Sequence, residues 1–290
     1  MRRNLKATPT GKQLTALETE GVNPRTARLG QGSTLATLRM LQREDATVAA
    51  AVRRCLPQIA AVVERMTPRF RAGGRLIYVG AGTSGRLGVL DASEIPPTFG
   101  MAAGRVVGVM AGGKRALTRS VEGAEDRAEN AGKDLERLRL RPSDTVVGLS
   151  ASGRAPYTVA AVEHARERGC LTVGVANSAG SPLARAAEMA IEAATGAEAI
   201  TGSTRLKAGT AQKMILNLIS NGLMIRSGRV EGNMMVHLQP TNAKLRDRAE
   251  RIVAALGGLE GANGRTRARR LLRETGGSVQ KAVALARGAR

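Results

Sequence analysis

Five short apolar runs, separated by segments with helical periodicity, constrain the fold of this 290-residue chain more than any other feature. Continuous apolar runs of this kind predict strands that are covered on both faces of a sheet. Alternation of strands with helices predicts right-handed crossovers and therefore a parallel sheet. The chain is accordingly predicted to be an α/β protein with a doubly wound, parallel, five-stranded sheet. The predicted strands are RLIYVG (75–80), RVVGVM (105–110), DTVVGLS (144–150), LTVGVAN (171–177) and, with the weakest pattern, MAIEA (189–193).

Helical patterns flank this predicted sheet on both sides. They lie around residues 34–44, 46–66, 210–225, 242–257 and 265–287. The pattern at 210–225 is apolar on almost every face, so we expect a buried helix, which would also suit a subunit interface. We therefore divide the chain into an N-terminal helical segment (1–65), a central α/β domain (66–229) and a C-terminal helical region (230–290).

The net charge of +21 would attract anionic ligands to the surface. Most of the basic residues are arginines scattered along the whole chain, which is typical of a compositional bias rather than of a nucleic-acid-binding face. The aromatic residues are Phe70, Tyr78, Phe99 and Tyr157, too few for the stacking platforms of single-strand binders. We predict no specific nucleic-acid partner.

The cysteines and histidines give no sign of a disulfide framework or a metal site. Cys55, Cys170, His164 and His237 are isolated in the sequence and lack the spacing of zinc ligands. The basic N-terminal sequence has no apolar segment typical of a signal peptide, and no run approaches the ~18 apolar residues of a membrane span. The interpretation is a soluble, cytoplasmic protein without a metal or a membrane partner.

Three loops combine glycine with hydroxyl side chains: GAGTSG (80–85), SASGR (150–154) and TGSTRLKAG (201–209). Ligands of open α/β sheets bind beyond the carboxyl ends of the strands, where such loops lead into helix N-termini. Glycine lets the backbone approach a ligand, and hydroxyls and N-terminal amides bind phosphate oxygens. The first loop also fits the G-x-G-x-x-G pattern of dinucleotide sites. That site requires an acid near the end of the second strand, which here ends VGVMAGGK, so a compact sugar phosphate fits better.

Two acidic segments carry the candidate catalytic groups. Glu94 lies in DASEIPPTFG, and Glu122 and Glu125 lie in SVEGAED, where a helix would place both on one face. A carboxylate at a helix C-terminus, beside apolar Ile95 and two prolines, has its charged form disfavoured, which suits a general acid. The alternative for Glu94 is an exposed acid at a helix end.

Long stretches of the chain resemble the N-acetylmuramic acid 6-phosphate etherases of the sugar isomerase (SIS) superfamily. The resemblance runs from about residue 18 to the C-terminal helices and is carried by NPRTARLG, LIYVGAGTSGRLGVLDASEIPPTFG, VEGAED, ASGRAPY, GAEAITGSTRLKAGTAQK and GNMMVHLQPTNAKLRDRA. It implies a cytoplasmic homodimer, with the active site near the subunit interface, that recycles peptidoglycan sugar. The reaction so implied cleaves the D-lactyl ether of N-acetylmuramate 6-phosphate to N-acetylglucosamine 6-phosphate and D-lactate. The resemblance also implies a small ubiquitin-associated (UBA)-like helical module at about 247–290.

The resemblance assigns roles to individual residues. Glu94 is similar to the family's catalytic acid, and Glu125 to its second catalytic residue, the expected base. The expected substrate-binding residues are Gly82, Thr83, Ser84, Ser150, Ser152, Glu122, Ser203, Thr204 and Lys207. Three positions depart from the family pattern. Ile95 replaces the usual Cys, Ala155 replaces a Thr of the phosphate loop, and His237 replaces an Asp. The hydroxyl missing at Ala155 is expected to weaken phosphate binding unless Ser150 compensates.

The implied chemistry is elimination followed by water addition. Opening of the sugar ring exposes an aldehyde at carbon 1, which acidifies the hydrogen on carbon 2. Glu125 then removes that hydrogen while Glu94 protonates the departing lactate oxygen on carbon 3. Water adds back at carbon 3 with Glu94 as the base, and reprotonation of carbon 2 completes the cycle. No metal or redox cofactor is required.

The spacing of Glu94 from its loop raises a geometric question. If residues 84–94 form one straight helix, Glu94 lies ~15 Å from the loop, at ~1.5 Å per residue, which exceeds the length of a hexose phosphate. Either the helix breaks early and the chain folds back, or Glu94 serves the site of a partner subunit.

Two alternative functions fit the same sugar-phosphate cradle. An aldose–ketose phosphosugar isomerase needs one base and no acid at carbon 3, so the pair of Glu94 and Glu125 argues against it. A non-catalytic sugar-phosphate sensor, such as the glucokinase regulatory protein, usually carries a second SIS domain or a DNA-binding domain, for which 290 residues leave little room.

Overall fold

A five-stranded parallel sheet forms the centre of the protein. The computed structural model describes residues 18–261 and 263–288. The strands are β1 (Leu76–Gly80), β2 (Val106–Met110), β3 (Thr145–Ser150), β4 (Leu171–Ala176) and β5 (Met189–Glu192). They run in the order β2-β1-β3-β4-β5, and every neighbouring pair is parallel. All five predicted strands and the predicted α/β class are confirmed.

Helices cover both faces of the sheet. They are α1 (Thr34–Asp45), α2 (Val48–Arg54), α3 (Leu56–Arg71), α4 (Gly82–Phe99), α5 (Ala128–Glu136), α6 (Pro156–Glu167), α7 (Pro182–Ala186), α8 (Lys207–Arg226), α9 (Ala243–Leu256), α10 (Gly264–Glu274) and α11 (Val279–Ala286). Successive residues of a strand point to opposite faces. Tyr78 accordingly packs in one core with α2, α3, α4 and α8, whereas Ile77 and Val79 pack in another with α5 and α6. The doubly wound arrangement is therefore confirmed.

The apolar helix predicted at 210–225 is α8, and one side of it is the centre of the larger core. Ile215 and Ile219 are fully buried. Its other side reaches the surface, where Leu218 is 39% and Ile225 54% exposed. The helix is thus buried against α2, α3 and α4 and leaves an apolar strip on the outside of the chain.

The second predicted N-terminal helix, 46–66, is divided in two. Cys55 separates α2 from α3, because Pro57 lacks the N–H that would continue the helical ladder and is tolerated only in a first helical turn. Helix α3 then continues to Arg71 and shares the core of the sheet, so it crosses the position predicted as a domain boundary at residue 65. The N-terminal residues 1–17, on which the prediction about a signal peptide was made, lie outside the described residues.

Helix α4 packs unusually close to the sheet, and glycines permit this. A Cβ atom at Gly85 would lie 2.6 Å from the Gly80 carbonyl oxygen and 2.8 Å from the Met110 Cβ atom. A Cβ atom at Gly88 would lie 2.8 Å from the Cβ atom of Tyr78. The spacing of glycines in this segment therefore serves helix-to-strand packing, which fixes where α4 begins at the edge of the sheet.

The C-terminal helices α9, α10 and α11 pack around a core of their own. Val253, Ala268 and Ala282 are buried in it. A short antiparallel pair, β6 (Val230–Glu231) and β7 (Met234–Met235), precedes these helices. A small C-terminal helical unit is thus present, while its likeness to a UBA module stays a prediction.

Within the described part of the chain, no single helix is long and apolar enough to cross a membrane. Only the pair Thr34–Arg54 and Leu56–Arg71, bent by 53°, has sufficient length and composition when the two are taken together.

Candidate active site

The strand order places a crevice at the carboxyl ends of β1 and β3. These two strands are neighbours, but the helix after β1 lies on one face of the sheet and the helix after β3 on the other. Such a switch point opens a crevice for ligands in doubly wound sheets. Gly80 pairs with Leu149, so the loops that follow these two residues start side by side.

The third hydroxyl-rich loop reaches the same edge of the sheet. A Cβ atom at Gly209, in the first turns of α8, would lie 3.5 Å from the Thr83 Cγ2 atom of α4. The N-termini of α4 and α8 are therefore adjacent. All three loops that were singled out in the sequence meet around one crevice.

The helix N-termini at this edge of the sheet differ in how many backbone N–H groups remain available to bind an anion. The buried carboxylate of Glu198 accepts hydrogen bonds from the Lys207 and Ala208 backbone N–H groups, both at 2.9 Å, and so occupies the start of α8. The N-cap residues of α4 and α6 are Ala81 and Ala155, and neither accepts a capping hydrogen bond through its side chain. The backbone N–H groups in the first turn of α4 can therefore bind phosphate oxygens. Helix α6 offers fewer donors, because Pro156 has no N–H and the Thr158 N–H donates to the Ala155 carbonyl at 3.0 Å.

A cavity of about 220 Å³ opens beside the N-terminus of α4. The end of β2, the short 3-10 helix Gly113–Leu117 and the turn after it form its other walls. Its lining residues are Ala81, Gly82, Arg86, Met110, Ala111, Ala116, Ser120, Val121, Glu122, Gly123, Ala124 and Glu125. Of the residues predicted from the sequence, Gly82, Glu122 and Glu125 therefore share this cavity.

The segment that carries Glu122 and Glu125 is a turn, not the helix that the sequence analysis expected. Gly123 has a left-handed backbone (φ 66°), which interrupts a right-handed helix, and only Ala124–Asp126 form a short 3-10 helix. The turn nevertheless directs both glutamates to the same cavity. The Ser120 hydroxyl donates to Glu122 Oε1 at 2.7 Å and holds that carboxylate in place.

The environment raises the pKa of Glu125. Desolvation by the surrounding protein contributes most, followed by the negative charges of Asp126 and Glu122. A carboxylate with a raised pKa is a stronger base when it is ionised, which suits the removal of a proton from carbon.

Glu94 lies on the exposed side of α4 and does not line this cavity. The helix does not end before the double proline but continues through Pro96 and Pro97 to Phe99, so no break brings Glu94 back toward the loop. Ile95 is 3% exposed and packs in the core. Measured along the unbroken helix, Glu94 is about 15 Å from Ser84.

The predicted serines and threonines lie around the crevice and not in the cavity. Ser84 is buried in the first turn of α4, and Ser150 is buried at the end of β3. Ser152 accepts a hydrogen bond from the Arg154 backbone N–H at 3.3 Å. Ser203 and Thr204 precede α8, where the Thr204 carbonyl accepts from the Gly209 N–H at 2.9 Å.

Lys207 is placed differently from the other predicted ligands. Its side chain is completely buried, and its ammonium group donates to Glu44 Oε2 at 2.9 Å. The same carboxylate accepts from Arg25 and Asn23, so Lys207 belongs to a buried network that ties the N-terminal segment to α8. The hydrogen bond from Arg25 contributes most to lowering the pKa of Glu44 to about 2. A role of Lys207 in substrate binding stays a prediction.

Sequence reasoning missed Arg86, which lines the cavity from the second turn of α4. Its Nε donates to the Leu117 carbonyl at 3.2 Å, and its Nη2 to the Arg119 carbonyl at 3.5 Å. The signal was available, because Arg86 follows Gly82 by four residues and so lies on the same side of a helix. Among the described residues, no group of three or more His, Cys, Asp or Glu side chains is placed to hold a metal ion.

Comparison with known proteins relates this arrangement to a family of enzymes. The chain is 50% identical to an N-acetylmuramic acid 6-phosphate etherase of Streptomyces coelicolor, over 95% of this chain and 96% of that protein. It is 53% identical to one of Symbiobacterium thermophilum (93% and 89% covered) and 52% identical to one of Escherichia coli O1:K1 (83% and 81% covered). The chain belongs to the N-acetylmuramic acid 6-phosphate etherase family.

Domain models and solved structures agree with this etherase family at the level of the fold. Residues 58–166 match the N-terminal SIS domain of glucokinase regulatory protein, and residues 126–221 match the SIS domain. A phosphoheptose isomerase from Francisella tularensis is similar with a TM-score of 0.52 at 15% identity, covering 66% of this chain and 98% of that one. A protein of E. coli CFT073 is similar with a TM-score of 0.50 at 15% identity (70% and 97% covered). The predicted SIS fold is thereby confirmed.

Proposed function

We propose that the protein is a lyase that cleaves the D-lactyl ether of N-acetylmuramate 6-phosphate, giving N-acetylglucosamine 6-phosphate and D-lactate in the recycling of peptidoglycan sugar. The observation that carries this proposal is the 50% identity to a named etherase over 95% of the chain. The position of Glu125 supports the proposal, because this carboxylate has a raised pKa and lines a cavity at the carboxyl ends of the strands of an SIS domain.

In this proposal Glu125 is the base that removes the hydrogen from carbon 2 of the opened sugar. Glu122 lines the same cavity, and its charge adds to the raised pKa of Glu125. The phosphate binds at the crevice between β1 and β3, where no side chain caps the backbone donors at the start of α4. Thr83, Ser84, Ser150, Ser152, Ser203 and Thr204 surround this crevice as the proposed phosphate and sugar contacts.

Glu94 is proposed to protonate the departing lactate oxygen in the cavity of a second subunit. Because α4 is unbroken, Glu94 cannot fold back on its own loop about 15 Å away. The surface around it is suited to a second copy, since Leu90 is 46% and Leu218 39% exposed on the adjacent helices α4 and α8. The proposed active form is therefore a homodimer whose two sites each take a base from one chain and an acid from the other.

We also propose that this reaction takes place in the cytoplasm. Cys55 and Cys170 are free and buried, which fits a reducing compartment.

The direct test is incubation of the purified protein with N-acetylmuramate 6-phosphate, followed by an assay for D-lactate. Glu125→Gln is expected to lower kcat by about 100- to 10,000-fold, the usual contribution of a positioned base. Glu129→Gln is the matched control, because Glu129 is an exposed glutamate four residues away that does not line the cavity. Absence of D-lactate with the unaltered protein would refute the proposed activity, and a Glu125→Gln enzyme as active as the control would refute the proposed base.

A mixing experiment tests the shared site. Glu94→Gln and Glu125→Gln chains are each expected to be inactive alone. After equal amounts are unfolded and refolded together, half of the dimers combine both kinds of chain, and one of their two sites is intact, so about one quarter of the normal activity returns. No recovery in a mixture that contains mixed dimers would show that each site takes both glutamates from one chain.

A further inference from the structure

Arg86 is the only cationic residue among those that line the 220 Å³ cavity, where it faces two carboxylates, Glu122 and Glu125. Without a bound ligand, the ionised side chains of this lining therefore carry a net negative charge. An anionic group that enters such a cavity meets repulsion from both glutamates unless a cation binds it directly.

The guanidinium group of Arg86 is held in place but not neutralised. Its two hydrogen bonds go to backbone carbonyls, those of Leu117 and Arg119, and it forms no salt bridge with a carboxylate in the described part of the chain. A guanidinium has more donors than these two bonds use, and its planar shape matches a carboxylate. The remaining donors are available to a ligand.

We propose that Arg86 binds the carboxylate of the lactyl group and so determines the specificity of the enzyme for a carboxyl-bearing ether. This inference rests on the proposed function. The ether oxygen is attached to carbon 3, next to the carbon 2 on which Glu125 is proposed to act, so the lactyl carboxylate must lie within the same cavity or at its rim. Arg86 is the cavity residue with the charge and the free donors to bind it.

The phosphate of the same substrate is the other anion that Arg86 could bind. The start of α4 borders both the crevice and the cavity, since Ala81 and Gly82 line the cavity. The serines and threonines proposed to bind the phosphate surround the crevice between β1 and β3, and none of them lines the cavity. The phosphate thus has hydroxyl donors outside the cavity, which favours the carboxylate as the partner of Arg86.

The test compares N-acetylmuramate 6-phosphate with its lactyl amide, which has the same shape and no charge at that group. For the unaltered enzyme, we expect kcat/KM to fall by about 10- to 150-fold on the amide, the range for a hydrogen bond to a charged group. In Arg86→Gln, kcat/KM for the carboxylate substrate should fall by a similar factor. This variant should then have nearly equal kcat/KM values for the carboxylate and the amide substrates. Arg86→Lys, which keeps the charge, should recover part of the discrimination.

Arg115→Gln is the matched control, because it removes the same charge from an exposed residue next to the cavity that does not line it. It should retain the full discrimination. A readout that needs no variant is product inhibition of the unaltered enzyme, in which D-lactate should inhibit more strongly than neutral D-lactamide.

The outcomes separate the two proposals. If the unaltered enzyme releases D-lactate but accepts the amide equally well, only the role of Arg86 is overturned. Arg86→Gln could instead be impaired and still discriminate between the carboxylate and the amide as the unaltered enzyme does. Arg86 would then bind another group of the substrate, for which the phosphate is the first candidate, and the inference is again overturned. If neither substrate releases its product, the proposed function itself fails.

Discussion

Removal of the Glu44 carboxylate should destabilise the protein strongly at neutral pH and progressively less as the pH falls below 4.5. Glu44 is the one fully buried residue of helix α1, with 2% of its side chain accessible. It accepts hydrogen bonds from Lys207, Arg25 and Asn23. Substitution by glutamine keeps the shape and leaves the fully buried Lys207 ammonium without its counter-charge.

The magnitude follows from the lowered pKa. A shift of the pKa of Glu44 from 4.5 to about 2 corresponds to about 3 kcal/mol of stability at neutral pH. Loss of one partner of a buried ion pair independently predicts about 3 to 5 kcal/mol. Because the pKa in the folded state is the lower one, this stability is present above pH 4.5 and is lost as the pH falls toward 2.

Equilibrium unfolding in urea, at about pH 7 and at steps down to about pH 3, measures the difference between the unaltered protein and Glu44→Gln. The matched control is Glu64→Gln, since Glu64 pairs with Arg226 at 2.9 Å but both side chains are more than half exposed. An exposed pair of this kind contributes about 1 kcal/mol or less. Equal losses for the two variants at neutral pH, or a loss for Glu44→Gln that does not shrink in acid, would refute the reasoning.

Two further substitutions test the candidate active site and the packing of α4 against the sheet. The negative charge of Asp126 raises the pKa of Glu125, although Asp126 itself does not line the cavity. Asp126→Asn should therefore move the acidic limb of the plot of kcat/KM against pH to lower pH. An unchanged limb would mean that the ionisation of Glu125 does not control it. Gly85→Ala should lower the free energy of unfolding by about 1 to 3 kcal/mol, because the added Cβ atom would meet the Gly80 carbonyl at 2.6 Å. Gly209→Ala is its control in thermal unfolding, since a Cβ atom there meets ordinary contacts at 3.5 Å and alanine favours the helix.

The sheet could be predicted from the sequence because its strands are buried on both faces. A strand such as β3 (Thr145–Ser150) has no exposed residue, so every position must be apolar or small and the run is continuous. The same argument identified the crevice, since the strand ends fix where the glycine- and hydroxyl-rich loops must lie. Hydrophobic burial is a local signal in the sequence, and it was sufficient for the fold.

Contacts between distant segments left no comparable signal. Lys207 lies among the hydroxyl-bearing residues of a phosphate-type loop, which favours a ligand role, yet its partner Glu44 is 163 residues away. Nothing in the spacing of α1 indicates that Glu44 alone points inward. A buried ion pair depends on tertiary geometry, so the sequence predicts the residue types but not the pairing.

The double proline after Glu94 shows where local rules give the wrong boundary. Proline disfavours a helix because it removes a hydrogen bond and crowds the preceding turn. In α4 this cost is confined to the last turns of the helix. Ile95 and Phe99, on either side of the prolines, are buried in the core, with only 3% and 5% of their surface exposed. Burial of two large apolar side chains offsets the lost hydrogen bonds, since each contributes roughly 1.5 to 3 kcal/mol.

The unbroken helix also determines what the proposed chemistry requires of the quaternary structure. Gly85 and Gly88 let α4 pack directly against the sheet, with its N-terminus at the cavity and Glu94 on its exposed side. Glu125 is held at that cavity by the turn at Gly123. If the elimination takes its acid from Glu94 and its base from Glu125, as proposed, the two glutamates are expected to meet across a dimer.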